Sequence, residues 1–363
     1  MRLSNEYIGD LIENSLGSRA RNTYTRFLMR VAFIIPFRCP EDINVHNDVI
    51  GGVRVRVYSS LEKKSKSAMI YIHGGGWSVM KPEYYDPMMF SFVHNLGITI
   101  FSIDYRLAPE FPFPAGLDDC VKVVTTLYEE RHEAYGIDRN KMFIAGDSAG
   151  GNLTASTTQR LANNNLNFIK CQILIYPVIH VFGFQSPSYL EHFKLFKGTS
   201  ILSPAAMARW TLFYMGIRAN QSNIAKLLKN QHISEDLKSS PEFGKLLSSA
   251  KLPKEIIAGS SVDAEEFEPD KELSEKISKL GTDPWLSPIF GVTSDLPPTL
   301  VITQGYDILR DEGILYAKRL KECNVECEWK HYKNGYHAIF NMPKSPLRKV
   351  VAQDTFNFIR KYL

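Results

Sequence analysis

The chain has 363 residues, a formal net charge of +4 and a hydrophobic fraction of 44%. Its length allows either two domains or one large α/β domain with an insertion. The apolar content excludes a disordered chain, and five cysteines are too few, and odd in number, for a disulfide-stabilised scaffold. The small charge excess is spread along the sequence, so it gives little support for nucleic-acid binding.

The first 45 residues are predicted to form a helical segment. Apolar side chains recur at helical spacing in residues 3–16 and again in 23–35, and Pro36 ends the second helix. Opposite the apolar side of this second helix lies a basic side, formed by Arg19, Arg21, Arg26 and Arg30. Such a helix either lies on a membrane surface or packs its apolar side against the rest of the protein, and we favour packing.

Neither a membrane-spanning helix nor a signal peptide is predicted. The most apolar N-terminal run extends from Phe27 to Phe37, but Arg30 and Pro36 interrupt it. This run is shorter than the ~20 residues that a span requires. Acidic side chains occur within the first twenty residues, where a signal peptide would have an apolar core. As written, the chain is expected to be soluble, intracellular and in a reducing compartment.

Strands and helices are predicted to alternate through the rest of the chain. Residues 53–58 alternate apolar and polar side chains, which is typical of an edge strand. Continuous apolar runs predict buried strands at 68–72, 99–103, 142–145, 172–176 and 299–303, followed by a more exposed strand at 327–332. Helical segments are predicted at 117–133, 149–163, 311–323 and 346–362. This alternation indicates an α/β fold, with a mostly parallel central sheet flanked by helices.

Residues 180–250 interrupt the alternation, because they contain no convincing strand and are predicted to be helical. An insertion of this size after a strand is expected to form a helical cap over the carboxyl edge of the sheet. The predicted organisation is therefore a helical cap segment at 1–45, an α/β domain formed by 46–179 and 251–363, and a cap insertion at 180–250.

One motif predicts a nucleophile. Gly146-Asp147-Ser148-Ala149-Gly150 is the only G-x-S-x-G sequence in the chain, and it joins a predicted strand to a predicted helix. A serine in such a sharp turn is held in a strained backbone conformation with its hydroxyl exposed, at the positive end of the helix. The alternative is a plain tight turn with an unused serine, which the flanking strand and helix disfavour.

A glycine-rich loop predicts donors for a negatively charged oxygen. Three glycines follow His73 directly after a buried strand, so their backbone N–H groups are not covered by side chains. We assign an oxyanion hole to the N–H groups of Gly75, Gly76 and Ala149. A flexible turn and a phosphate-binding loop are the alternatives, but the lysine and hydroxyl residue of a phosphate loop are missing. His73 is expected to be structural.

A base and an orienting acid can be assigned by their positions after strands. His337 follows the last predicted strand, and Asp307 follows the strand before it. The order Ser148, Asp307, His337 along the chain is that of an α/β hydrolase. These side chains are the predicted catalytic triad, whereas Asp311 and Glu312 are interpreted as acidic residues of the next helix's first turn.

These motifs resemble those of the α/β-hydrolase fold, and within it the hormone-sensitive lipase family of serine esterases. The matching motifs are His73–Gly76 in the oxyanion loop, Gly146–Asn152 at the nucleophile and the structural hallmark Asp104–Glu110. The finer features resemble the arylacetamide deacetylase branch, and they are Asn230–His232, Leu286–Pro288 and Asp307–Glu312. The resemblance extends from about residue 45 to the C-terminus.

The resemblance implies a serine carboxylesterase or deacetylase that forms an acyl-enzyme on Ser148 and needs no metal or cofactor. Members of this family act on hydrophobic short-to-medium acyl esters, arylacetamides or neutral lipid esters such as acylglycerols and cholesteryl esters. Vertebrate members usually begin with a membrane anchor facing the endoplasmic reticulum lumen, and this chain starts near the point where that anchor would end. The chain is therefore interpreted as either a soluble relative or one whose anchor is missing, and the resemblance leaves association with this membrane open.

Two further expectations concern the ligand. Four aromatic residues are candidate walls of the substrate pocket, although aromatic residues at helical spacing belong more often to a core: Trp77, Trp210, Phe213 and Tyr214. The same fold also includes non-catalytic receptors for small ligands. Because those receptors lack a competent base, the presence of His337 favours an enzyme.

Overall fold

The computed structural model describes residues 2–34, 37–62, 65–196, 202–257, 265–342 and 345–363. One sheet of eight strands runs through them, in the spatial order β1-β2-β4-β3-β5-β6-β7-β8. The strands are β1 (Ile43–Ile50), β2 (Val53–Ser60), β3 (Ala68–Ile72), β4 (Thr99–Ile103), β5 (Met142–Asp147), β6 (Ile169–Ile175), β7 (Thr299–Tyr306) and β8 (Cys327–Tyr336).

The sheet is mostly parallel, as the sequence predicts. Strands β4, β3, β5, β6, β7 and β8 pair in parallel, whereas β2 pairs antiparallel with both β1 and β4. The prediction that residues 53–58 form an edge strand is therefore wrong, because β1 lies outside them. Strand β1 was not predicted, because its central side chains are polar and only Ile43 and Ile50, at its ends, are buried.

Helices cover both faces of the sheet. They are α1 (Arg2–Leu16), α2 (Ser18–Ala32), α3 (Asp86–Leu96), α4 (Ala115–Thr126), α5 (Ala149–Asn163), α6 (Pro187–Phe196), α7 (Pro204–Tyr214), α8 (Gln221–Leu228), α9 (Glu235–Lys238), α10 (Pro241–Leu247), α11 (Lys254–Ile257), α12 (Lys271–Gly281), α13 (Arg310–Glu322) and α14 (Pro346–Arg360). Alternate side chains of β3 face opposite layers: Met69 and Tyr71 pack with α3 and α14, and Ile70 and Ile72 pack with α4 and α5.

The described residues between β6 and β7 are helical and contain no strand. These helices continue past residue 250 as far as α12. Asp270, which caps α12, accepts a 2.6 Å salt bridge from Lys226 on α8 and donates its backbone N–H to Gln231. Helix α12 therefore joins the helical layer formed by the preceding segment.

The N-terminal helices pack with the opposite orientation to the one we favoured. Helix α2 begins at Ser18, five residues before its predicted start at 23, while the predicted end at Ile35 and Pro36 lies outside the described residues. Its buried side chains are polar: Ser18, Arg21, Asn22 and Thr25. Its apolar side is exposed instead, with 57% of Phe27 and 43% of Val31 accessible.

Ion pairs explain this orientation. Glu13 of α1 is buried and lies 2.9 Å from Arg21 of α2 and 2.7 Å from Arg209 of α7. Buried charges are stable only when they are paired and hydrogen-bonded, and here the pairs lie between α1, α2 and α7. Polar contacts therefore attach the N-terminal helices to the rest of the protein. No helix in the described part of the chain has the length and apolarity to cross a bilayer.

Candidate active site

Ser148 lies in the sharp turn between β5 and α5. Its backbone has φ 55° and ψ −122°, a strained conformation for a residue other than glycine. Glycine is required on both sides of it: a Cβ atom at Gly150 would lie 2.0 Å from the carbonyl oxygen of Ile72, and one at Gly146 would lie 2.3 Å from that of Gly150. The turn thus holds the Ser148 hydroxyl above the carboxyl edge of the sheet.

The structure brings the three predicted triad side chains together. His337 Nε2 lies 3.0 Å from Ser148 Oγ, and His337 Nδ1 lies 2.8 Å from Asp307 Oδ2. All three residues are buried, and the other carboxylate oxygen of Asp307 accepts the backbone N–H of Leu309 at 3.0 Å. A serine nucleophile is activated when a base lies within hydrogen-bonding distance of its hydroxyl and a carboxylate orients that base. These three side chains have this arrangement.

Asp147, next to the nucleophile, supports the glycine-rich loop. Its carboxylate accepts hydrogen bonds from the Tyr71 hydroxyl at 2.8 Å, the Tyr85 hydroxyl at 3.0 Å and the Gly74 backbone N–H at 2.9 Å. Burial raises the pKa of Asp147, and these donors oppose the rise. Sequence reasoning missed these contacts; the signal was an acidic residue between Gly146 and the predicted nucleophile.

Of the three N–H groups assigned to the oxyanion hole, that of Ala149 directly follows Ser148, and those of Gly75 and Gly76 lie in the loop whose Gly74 is hydrogen-bonded to Asp147. Gly75 and Gly76 have positive φ values of 103° and 58°. Within the described ranges, the N–H groups of Gly75, Gly76 and Ala149 donate no hydrogen bond to the protein, whereas the carbonyl of Gly75 accepts the N–H of Ser78 at 3.0 Å. These N–H groups are available to a ligand.

The four aromatic pocket candidates lie in different surroundings. Trp77, Phe213 and Tyr214 are buried in the core, where Trp77 and Tyr214 stack with ring centroids 4.3 Å apart. Trp77 follows the glycine-rich loop directly in the chain, and Trp210 packs against this loop from α7, because a Cβ atom at Gly76 would lie 2.4 Å from its ring. The structure thus places Trp210 beside the loop of the predicted oxyanion hole.

A cleft of about 1140 Å³ lies away from the triad, between the turn joining α1 and α2 and the segment joining α7 and α8. Phe213 contributes to its wall together with Leu16, Pro112 and Ile217. The predicted catalytic residues do not line this cleft, so we do not assign the substrate to it. Nor do the described residues contain three His, Cys, Asp or Glu side chains grouped as metal ligands.

Helix α2 also contacts the segment that follows the glycine-rich loop. Arg26 donates from Nε to the carbonyl of Ser78 at 2.6 Å and from Nη2 to that of Ala108 at 2.8 Å, and it pairs with Glu110 at 2.8 Å. Arg26 thereby connects the N-terminal helices to two loops at the carboxyl edge of the sheet. The sequence predicted that α2 has a basic side, but not that this side faces the protein.

Asp311 and Glu312 lie in the first turn of α13, as predicted, and both are also buried. Glu312 Oε2 accepts the backbone N–H of Ile179 at 2.9 Å and that of His180 at 3.3 Å. Burial raises the pKa of Glu312 to about 8. Nearby His180 carries no compensating charge, because burial lowers its pKa to about 3.

Replacing Glu312 with glutamine is expected to become more stabilising as the pH rises. The pKa of Glu312 is about 8 in the folded chain and 4.5 without the protein environment, so the folded chain retains a proton that the unfolded chain releases. Stability from this group is therefore lost as the pH rises between these values, and the uncharged amide of the variant avoids the loss. Thermal unfolding at pH 5.5 and 8.5 measures the difference in Tm between the variant and the wild type.

Glu322→Gln is the matched control, because Lys251 lowers the pKa of Glu322 and keeps it ionised over this range. Its Tm relative to the wild type is expected to stay constant with pH. The same constant difference for Glu312→Gln would contradict the raised pKa.

This chain is similar to known proteins in both sequence and structure. Residues 69–244 and 270–341 match the family described as alpha/beta hydrolase fold. Neutral cholesterol ester hydrolase 1 of Bos taurus is 31% identical, covering 88% of this chain and 80% of that protein. Arylacetamide deacetylase of Oryctolagus cuniculus is 30% identical, and the alignment covers 97% of this chain and 88% of that protein. The esterase structure from Pyrobaculum calidifontis superposes with a TM-score of 0.65 at 25% identity, covering 94% and 92%.

Proposed function

Because the chain belongs to the α/β-hydrolase fold family, we propose that it cleaves carboxylic esters with Ser148 as nucleophile, His337 as base and Asp307 as orienting acid. The family resemblance expected from the motifs is confirmed by the match to the family model and by the two relatives, which are 31% and 30% identical to this chain. The observation that carries the residue assignment is the continuous hydrogen-bonded series from Asp307 through His337 to Ser148.

The reaction begins when His337 Nε2 takes the proton of the Ser148 hydroxyl as Oγ attacks the substrate carbonyl. The carbonyl oxygen becomes negatively charged, and the free N–H groups of Gly75, Gly76 and Ala149 stabilise it. Asp307 holds the imidazole with Nδ1 protonated and stabilises the imidazolium. His337 then protonates the leaving alcohol or amine, leaving an acyl-enzyme on Ser148.

Hydrolysis of the acyl-enzyme repeats these steps with water as the nucleophile. His337 removes a proton from water, the hydroxide attacks the acyl carbonyl, and the oxyanion forms at the same three N–H groups. Collapse of this intermediate returns the proton to Ser148 Oγ and releases the carboxylic acid. All steps use side chains and backbone groups of this chain.

The substrate class we propose is hydrophobic esters with short-to-medium acyl groups, together with arylacetamides. The Trp210 ring supports this proposal, because it offers an aromatic surface against Gly76 of the predicted oxyanion loop. Neutral lipid esters are the second candidate, because one relative is a cholesterol ester hydrolase. A non-catalytic receptor is disfavoured by the contact between His337 and Ser148.

An acyl-chain series tests this proposal. The purified chain is expected to hydrolyse p-nitrophenyl acetate and butyrate, and phenacetin serves as the arylacetamide substrate. Cholesteryl oleate and a triacylglycerol in the same assay distinguish the lipid-ester alternative by their relative kcat/KM values. Absence of hydrolysis with every one of these substrates would overturn the esterase proposal and favour a receptor.

We also propose that the exposed face of α2 contacts a lipid surface. Phe27, Val31, Ile34 and Phe37 are exposed apolar side chains in this region. Basic side chains lie beside them at Arg30 and Arg38, and Lys81 lies over Tyr84, which stacks on Phe33 with ring centroids 4.5 Å apart. Apolar side chains flanked by basic ones are typical of interfacial helices on anionic membranes.

The double variant Phe27→Ser with Ile34→Ser is expected to bind anionic vesicles several-fold more weakly than the wild type, because it loses apolar burial in the bilayer. Co-sedimentation with phosphatidylcholine–phosphatidylserine vesicles measures the bound fraction. The matched control is Leu61→Ser with Val350→Ser, which removes exposed apolar side chains elsewhere. If the wild type does not pellet with these vesicles, the membrane proposal is rejected.

A further inference from the structure

The loop that carries Asp307 is bound directly by the first helix of the cap insertion, α6. Ser188 at the start of α6 donates its hydroxyl to the carbonyl of Ile308 at 2.6 Å. Its backbone N–H donates to Asp311 Oδ2 at 2.7 Å. Both Ser188 and Asp311 are buried. One residue of the cap thus makes two hydrogen bonds to the four residues that follow the predicted catalytic acid.

An ion pair strengthens this connection one turn further along α6. Arg310 donates from Nη1 to Glu191 at 2.7 Å and from Nε to Asp311 at 2.8 Å. The side chain of Asp311 is 1% exposed and that of Glu191 is 18% exposed, so Arg310 has one partner shielded from water and one at the edge of the solvent. The carboxylate of Asp311 also lies at the N-terminus of α6, where the helix dipole favours negative charge.

A separate contact fixes the segment through which the chain enters the cap. Glu312 accepts the N–H groups of Ile179 and His180, as described above, and the neighbouring Val178 donates its N–H to the carbonyl of Ser148 at 3.2 Å. The entry segment is therefore bound both to the nucleophile turn and to the start of α13. The cap and the acid loop are held at two points.

None of these side chains contacts Ser148 Oγ or the ring of His337, so they have no direct part in proton transfer. They do connect the loop that orients His337 to the helices of the cap. Trp210, on α7 of the same helical cap, packs its ring against Gly76 of the predicted oxyanion loop. A change in the position of the cap would therefore change the surroundings of that loop.

We propose that Ser188, Glu191, Arg310 and Asp311 are positioning residues that fix the cap over the acid loop and thereby set the acyl-chain-length preference of the enzyme. This inference rests on the proposed esterase function. The proton-transfer steps of the triad do not require the contacts that Ser188 and Glu191 of α6 make with the acid loop. We assign these contacts a role in selecting the acyl-chain length. We call these four residues the cap clamp.

The test uses the double variant Ser188→Ala with Glu191→Ala, which removes two cap-clamp side chains from the cap and leaves the acid loop unchanged. The ratio of KM for p-nitrophenyl octanoate to KM for p-nitrophenyl acetate is expected to change at least five-fold. Glu191→Gln, which retains a hydrogen-bond acceptor for Arg310, is expected to restore part of the wild-type ratio. Glu328→Ala is the control, since Glu328 of β8 pairs with Lys361 and contacts neither α6 nor the acid loop through this pair.

Hydrogen–deuterium exchange provides a second measurement that does not depend on activity. Amides of α6 and of the loop at 307–312 are expected to exchange faster together in the folded double variant, and not in Glu328→Ala. An unchanged KM ratio, or unchanged exchange in α6, would overturn the cap-clamp proposal. If no variant and no wild-type sample cleaves an ester, the esterase proposal fails, while faster exchange in both segments would still support the clamp.

Discussion

Ser148→Ala is expected to lower kcat for p-nitrophenyl acetate by about 10⁴–10⁶-fold. Removing Oγ leaves the substrate carbonyl without a nucleophile, although the N–H groups of Gly75, Gly76 and Ala149 can still bind it. Steady-state kinetics with the purified variant measures the loss. Burst kinetics of the wild type, followed by mass spectrometry, are expected to show one acyl group on the peptide that contains Ser148.

Ser156→Ala is the matched control for this experiment. Ser156 lies on α5, the helix that begins after Ser148, and it is also buried. Its hydroxyl has no hydrogen-bond partner among the residues that the structure describes. The control variant is therefore expected to fold and to retain wild-type kinetics. A burst of acylation that persists in Ser148→Ala would assign the nucleophile to another residue.

Asp307→Asn is expected to reduce kcat by about 10⁴-fold with little change in the fold. The carboxylate accepts the Nδ1–H of His337 at 2.8 Å, and this hydrogen bond leaves Nε2 unprotonated toward Ser148. An amide in its place can donate to Nδ1 and so stabilise the wrong tautomer. The rate of p-nitrophenyl acetate hydrolysis as a function of pH gives both the loss and any change in the base's apparent pKa.

The control for Asp307→Asn is Asp295→Asn, a charge removal at an exposed position before β7. It is expected to leave kcat within about two-fold of the wild type, because exposed side chains away from the site contribute little. A comparable loss in both variants would point to a general effect of charge. Wild-type activity in Asp307→Asn would move the orienting role to another acid.

Structural features that depend on residues close together in the sequence could be predicted for this protein. The buried strands and the turn at Ser148 follow from local apolar runs and glycine spacing, and the mostly parallel fold class is confirmed. Strand β1 could not be predicted in this way, because it is paired at the edge of the sheet and its central side chains are polar. Its place depends on pairing with β2 rather than on its own pattern.

Contacts between distant segments could not be predicted from periodicity. The spacing in α2 shows that the helix has two different sides, but the buried pairs with Glu13 determine which side faces the protein. Likewise, Asp311 and Glu312 have the sequence position of first-turn acids, whereas their partners are Ser188, Ile179 and His180. Such partners become neighbours only after the chain has folded. The roles of the triad and oxyanion residues remain predictions that the variants above address.

The wide separation of the triad along the chain has a consequence for biosynthesis. His337 is 189 residues from Ser148 and 30 from Asp307. Because His337 follows β8, this base cannot reach Ser148 until β6, β7 and β8 have all been synthesised. A nascent chain that stops short of His337 therefore carries the nucleophile without its base. In such a chain β7 is an unpaired edge of the sheet, and unpaired strand edges make folding intermediates prone to aggregation.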